Sequence, residues 1–194
     1  MIGARYVMNV QPHLQMDNAA FLDWVQGREG RYELDGGRVM MMTGATMRHG
    51  MIVGNLFELL RMRLDRRQWV VLTEFGIDIR PGTIRYADIV VDQPGGKQDA
   101  LTAKAPVLVA EVLSPSTTKI DLGDKAADYL QLSSLATYLV FAQDEVKAWV
   151  YSRSSENQFP PGPQVFAGAD AAISVPALGI DLPLMDIYGG IDFD

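Results

Sequence analysis

Hydrophobic positions are densest at Pro106-Val107-Leu108-Val109-Ala110-Glu111-Val112-Leu113-Ser114. The run is short and apolar on both alternating faces, the profile of an interior strand from Val107 to Leu113. Upstream, Val70 to Arg80 and Ile84 to Asp92 read as antiparallel strands around Pro81-Gly82-Thr83. Between Thr46 and Arg66, the residues His49, Ile52, Val53, Leu56 and Leu60 recur at helical spacing and predict a long amphipathic helix. A shorter helix carries Phe21, Leu22, Trp24 and Val25, with Asp17 or Asn18 as cap and Gly27 as stop. Two extended runs, Arg31 to Asp35 and Arg38 to Met42, meet at Asp35-Gly36-Gly37 and predict a hairpin.

Past the central strand, Ser114-Pro115-Ser116-Thr117-Thr118 breaks the pattern and offers helix caps, and Asp121 to Ser133 predicts a second amphipathic helix. Ala136 to Ala142 and Val146 to Ser152 predict a further hairpin over Gln143-Asp144-Glu145. Gln93 to Lys104 is polar and reads as a surface loop, and Asp92 as a strand-end acid facing solvent. The order is helix, hairpin, helix, hairpin, strand, helix, hairpin. It predicts an α/β fold with a mixed sheet and helices against its faces, not an all-parallel doubly wound sheet. No repeat or linker divides the chain, so residues 1–194 are expected to form one domain. Residues 1–16 would be an N-terminal extension, and residues 155–194 a loop-rich C-terminal segment packed on the core.

Composition narrows the class. The 194 residues are 48% hydrophobic and 21% charged, which suits one folded domain and excludes disorder as the main state. There is no cysteine, so disulfides and thiolate-metal sites are excluded. No apolar run is long enough to cross a bilayer, and the N-terminus lacks a signal-peptide core, so no membrane partner and a cytoplasmic location are expected. A net charge of −7 argues against an extended basic surface coating nucleic acid. It leaves room for a nuclease site, whose carboxylates bias the total toward acid. From Thr46 to Arg67 five arginines face two acids. Arginines near a helix C-terminus also complement the helix dipole, and that reading leads.

The chemistry sits on the exceptions. Glu111 lies in the middle of an apolar strand, where a carboxylate needs a cation or hydrogen bonds to stay charged. Taken alone it divides evenly between metal ligand and buried ion pair. Asp88 makes the same exception on its strand, and two acids on neighbouring strands can share a hard divalent cation. Lys125 follows the stripe Leu122, Lys125, Tyr129 and Leu132, which should face the sheet. Its bland alternatives are helix pairs with Asp121 or Asp128, or a snorkelling surface lysine, and on spacing alone they lead. Glu33, before the first turn, is a third acid or simply exposed. His49 is on an apolar stripe, where a histidine is more often a core residue than a ligand. His13 and His49 are the only histidines, so a multi-histidine zinc site is excluded. Ser114 has no nucleophile-elbow context, and no Gly-rich phosphate loop is present.

Together these residues resemble one family. Tyr32-Glu33-Leu34-Asp35-Gly36-Gly37, His49 opening a helix, Tyr86-Ala87-Asp88-Ile89-Val90-Val91, Glu111-Val112-Leu113-Ser114-Pro115-Ser116-Thr117, then Asp121, Lys125 and Tyr129 follow in order. This is similar to the Uma-type restriction-endonuclease-like proteins of the PD-(D/E)XK nuclease superfamily, from about Phe21 to Tyr151. The tail, Ile180-Asp181-Leu182 and Asp186-Ile187-Tyr188, is similar to the family's usual ending.

The resemblance implies a restriction endonuclease-like mixed sheet of four or five core strands flanked by helices, with extra hairpins. It implies a Mg²⁺ or Mn²⁺ site at Asp88 and Glu111, with Glu33 contributing. The superfamily pattern has a lysine two residues after the acid. Here that position is Leu113, and Lys125 is its relocated counterpart, which overturns the bland reading of that residue. The family commonly has proline before the strand aspartate, where this chain has Ala87.

The expectation is a metal-dependent endonuclease hydrolysing phosphodiester bonds in DNA. Asp88, Glu111, Lys125, Glu33 and His49 would form its catalytic set. The alternative is a non-catalytic module that keeps the nuclease fold to bind nucleic acid or a protein; metal-assisted hydrolysis of another substrate is a third reading. A homodimer would suit cleavage of both strands. Met40-Met41-Met42 could line its interface, though core packing explains them equally.

Overall fold

Eight residues of good helical pattern follow Asp17, whose carboxylate accepts the Ala20 amide at 2.8 Å and starts α1 (Asn18–Val25). The structure is a computed structural model that describes residues 15–42, 44–113 and 122–193. The glycine pair closes the first hairpin, β1 (Tyr32–Asp35) with β2 (Arg38–Met41). Gly36 and Gly37 both take positive φ there (55° and 82°), as a tight two-residue turn requires. Thr46 caps α2 (Met47–Arg63), which ends at Arg63 rather than at the expected Arg66. Then come β3 (Val70–Arg80) and β4 (Thr83–Asp92), the short β5 (Thr102–Ala103) and the central β6 (Leu108–Val112). α3 (Asp124–Leu130) precedes the hairpin β7 (Thr137–Phe141) and β8 (Lys147–Ser152). The expected helix caps at Ser114 to Thr118, and Asp121, lie outside the described residues.

The α/β architecture is as expected, with two local corrections. Within the expected surface loop, Thr102 and Ala103 pair in parallel with Gly76 and Ile77 of β3. Asp92 does not face solvent: it is buried, and it accepts the backbone amides of Gln93, Lys104 and Ala105 (2.7–3.0 Å), clamping that loop. The C-terminal segment also carries more regular structure than its weak pattern suggests. It contains β9 (Gln164–Ala167), β10 (Ala172–Val175), β11 (Ile180–Pro183) and α4 (Leu184–Ile187). These pieces are only four residues each, too short for periodicity to declare them. The strands are held by pairing, β9 with β8 and β10 with β11, and α4 is held against α2, where Asn55 donates to the Ile187 carbonyl at 3.0 Å.

The main sheet runs β2-β1-β4-β6-β7-β8-β9, with β3 on β4 and β5 on β3. It is mixed: β6 and β7 are parallel, while β4 with β6 and β7 with β8 are antiparallel. On one face α2, α4 and the β10–β11 ribbon pack through Ile52, Leu56, Leu60, Leu182 and Leu184 against Ile89, Val91, Leu108 and Leu139. On the other, Ala126 and Tyr129 of α3 pack on Val90, Val109 and Tyr138. α1 covers Leu34 and Ile84 at one end through Phe21.

One feature of the topology makes the site. β3 pairs along one edge of β4 from Thr83 to Asp92. The other edge is shared: β1 pairs with β4 through Leu34 and Ile84, and β6 pairs with Ile89, Val90 and Val91. Between these contacts, β1 and β6 stand apart and the stretch Arg85 to Asp88 borders a gap in the sheet.

Candidate active site

Backbone groups at such a gap need other partners, and carboxylates supply them. The Tyr86 amide donates to Glu33 Oε1 at 2.9 Å, and the Val112 amide donates to Asp88 Oδ2 at 2.8 Å. Each acid therefore sits where a neighbouring strand's carbonyl would normally accept. The same Asp88 oxygen lies 3.1 Å from His49 Nε2, brought in by the first turn of α2. Oδ1 of Asp88 accepts no bond among the described residues and remains open to solvent.

α3 closes the gap from the opposite face. Lys125 donates to Glu111 Oε1 at 3.1 Å and stands 3.4 Å from Glu33 Oε1. One turn on, Tyr129 donates its hydroxyl to the same Glu111 oxygen at 2.8 Å. Spacing alone favoured helix partners for Lys125. The structure brings it to two strand acids, while Asp128 turns to Arg85 (2.7 Å) and to Arg80; Asp121 lies outside the described residues. Arg85 also reaches Glu33 (3.5 Å) and Asp35 (3.1 Å). All five residues singled out in the sequence, Glu33, His49, Asp88, Glu111 and Lys125, thus meet around one gap. Arg85, Asp128 and Tyr129 join them. An arginine between Ile84 and Tyr86 on an apolar strand was the available signal for Arg85.

The electrostatics follow from burial. Burial works against the charged form of Asp88, but His49, the Val112 amide and the nearby Lys125 outweigh it and hold the carboxyl below the usual range. The Tyr129 hydroxyl is pushed well above its ordinary value by burial and by Glu111 and Glu33, so it stays a donor. Burial opposes the charge on Arg85 as well, yet Glu33, Asp128 and Asp35 raise its pKa. Four buried carboxylates (Glu33, Asp88, Glu111, Asp128) surround two buried cations (Arg85, Lys125), with Arg80 and His49 added from less enclosed positions. The gap is therefore dense in charge of both signs, its carboxylates largely offset by the cations around them.

Carboxylates are the ligand type that a hard divalent cation takes. Among the described residues no three His, Asp or Glu side chains form a metal-binding cluster, so an all-protein cage is not available. Asp88, with its open oxygen, and Glu111 are the carboxylates here that could hold a hard cation such as Mg²⁺, which keeps several of its waters.

The family model of Uma2, described as "Putative restriction endonuclease", matches residues 19–185. The chain belongs to the Uma2 family. The matched residues include every element that contributes to the gap, from β1 to α3. A relative in Synechocystis sp., "Uncharacterized protein slr1290", is 24% identical over 94% of this chain and 96% of its own. A solved structure, a "putative nuclease belonging to DUF820" from Anabaena variabilis, has the same fold at a TM-score of 0.72. The two are 17% identical, with 89% of this chain and 97% of that one covered. The Uma2 chain therefore has a nuclease-like α/β fold, and no helix among its described residues is long and apolar enough to cross a membrane.

Proposed function

We propose that this Uma2 protein is a divalent-metal-dependent endonuclease acting on phosphodiester bonds in DNA, with Asp88 and Glu111 as the metal-binding pair. The convergence of Asp88, Glu111 and Lys125 on one gap between β1 and β6 carries the reading. The family description, and the fold shared with the Anabaena "putative nuclease", support the nuclease class.

A bound Mg²⁺ or Mn²⁺ would polarise a phosphoryl oxygen and acidify a coordinated water. Asp88 would present its open oxygen to the cation while His49 and the Val112 amide hold the other. Among the described residues Lys125 is the one ammonium at the gap that could meet charge developing on the phosphoryl group or orient the attacking water. Glu33 and Tyr129 would fix the lysine and Glu111 in register. His49 would support Asp88 and not act as a ligand.

The test is plasmid nicking with and without Mg²⁺, using wild type, Asp88→Ala and Glu111→Ala, alongside calorimetric Mn²⁺ titration of each. Metal-dependent nicking that both substitutions abolish is the expected result. Equal nicking in all three proteins would remove the metal-site assignment. Absence of divalent binding, or binding indifferent to Asp88→Ala, would favour a non-catalytic nucleic-acid- or protein-binding module.

A further inference from the structure

Glu74 takes a left-handed backbone (φ 51°) in the middle of β3, a conformation costly for a residue with a side chain. The pairs Thr73↔Ile89 and Phe75↔Ala87 flank it, so Glu74 lies directly across from Asp88. The flanking side chains reveal what the kink does. Leu72 and Phe75, three residues apart, both pack on the α3 face, and so do Ala87 and Val90 on the partner strand. In an uninterrupted strand residues three apart point to opposite faces. Both strands therefore turn by one side-chain position at the Glu74–Asp88 step without losing register.

The consequence falls on Asp88. Ala87 is taken by the α3 face and Ile89 by the α2 face. Asp88 is left between them, and its carboxylate enters the gap to accept the Val112 amide at 2.8 Å and meet His49 at 3.1 Å. We infer that Glu74 is a positioning residue, whose left-handed backbone turns β4 at Asp88 and aims that carboxylate into the site. The Glu74 side chain plays a separate part: half-exposed, it pairs with Arg31 at 3.0 Å at the start of the first hairpin. The geometry of this inference is independent of the chemistry, but its importance for catalysis rests on the nuclease reading above.

The experiment separates the two. Glycine and asparagine tolerate a left-handed backbone and a β-branched residue does not, so Glu74→Gly, Glu74→Asn and Glu74→Val are compared with wild type. Exchange of the Val112 amide, read by NMR without metal, reports the Asp88 bond directly. Val112 should stay as protected as in wild type in the Gly and Asn variants. In Glu74→Val it should exchange about tenfold faster or more relative to other β6 amides, with Mn²⁺ affinity falling alongside. If Val112 protection in a folded Glu74→Val equals wild type, or if Gly and Asn lose it as Val does, the inference is overturned. Should Glu74→Val not fold, the Gly and Asn variants carry the test, and loss of Val112 protection in both overturns it. Wild type that keeps the Val112 pattern but neither binds Mn²⁺ nor nicks DNA overturns the nuclease reading alone.

Discussion

The ammonium of Lys125 stands 3.1 Å from the Glu111 carboxylate, joining a helix to the strand that precedes it and placing the cation inside the acid-lined gap. Both side chains are buried, and Glu33 stands 3.4 Å from the same ammonium on its other side. Replacing Lys125 with methionine keeps the stem and removes the charge, leaving two acids facing each other. Mg²⁺-dependent nicking should fall by about 10²–10³-fold, the usual effect of losing a charge-stabilising donor. Urea unfolding should show a loss of about 3–5 kcal/mol, the scale for a broken buried pair.

Tyr129 gives a gentler probe of the same acid. Tyr129→Phe keeps the packing against Tyr138 but withdraws the hydroxyl from Glu111. Chemical denaturation should register a loss of about 1.5–3 kcal/mol, as for a hydrogen bond to a charged group. No loss would mean that the Tyr129 hydroxyl does not help to hold Glu111.

The Arg85 guanidinium is buried among Glu33, Asp35 and Asp128 and binds Asp128 through two nitrogens. Arg85→Lys cannot reproduce that fork, so thermal unfolding should show a clear destabilisation even though the charge is kept. Arg85→Met should cost more, about 3–5 kcal/mol, because Glu33 and Asp128 are left buried without it.

The depressed pKa of Asp88 sets a pH dependence with a definite sign. Its folded value lies below the unfolded value of about 3.9, so the folded state favours the ionised form. The associated stability is fully present above that unfolded value and is lost as pH falls through the folded one. Asp88→Asn should therefore be less stable than wild type at neutral pH, with the difference shrinking below about pH 4. Urea midpoints measured between pH 3 and pH 7, about that window, check it.

Adding a divalent ion should stabilise wild type by mass action. At about a hundredfold excess of Mn²⁺ over its Kd the gain is about 2.7 kcal/mol, visible as a rise in Tm that chelation reverses. Asp88→Ala and Glu111→Ala should show no such rise.

Much of this arrangement was readable along the chain. Apolar periodicity determined α1, α2 and, apart from the two-residue β5, the strands through β8, because each buries a continuous face and so writes its period into the sequence. Glu111 and Asp88 announced themselves for the same reason: a carboxylate on an apolar strand needs a partner wherever the strand lies. The short pieces after Ser154 carried too few residues to show a period, and pairing supplied what propensity could not. Only the tertiary structure could choose partners. Spacing on the helix offered Asp128 to Lys125, yet Arg85 takes Asp128, and the lysine reaches Glu33 and Glu111. That choice depends on the gap left where β1 and β6 share one edge of β4, and on the turn at Glu74 that swings Asp88 into it. Burial and charge are properties of residues and can be read in order; a gap is a property of how strands end against one another, and exists only once they have packed.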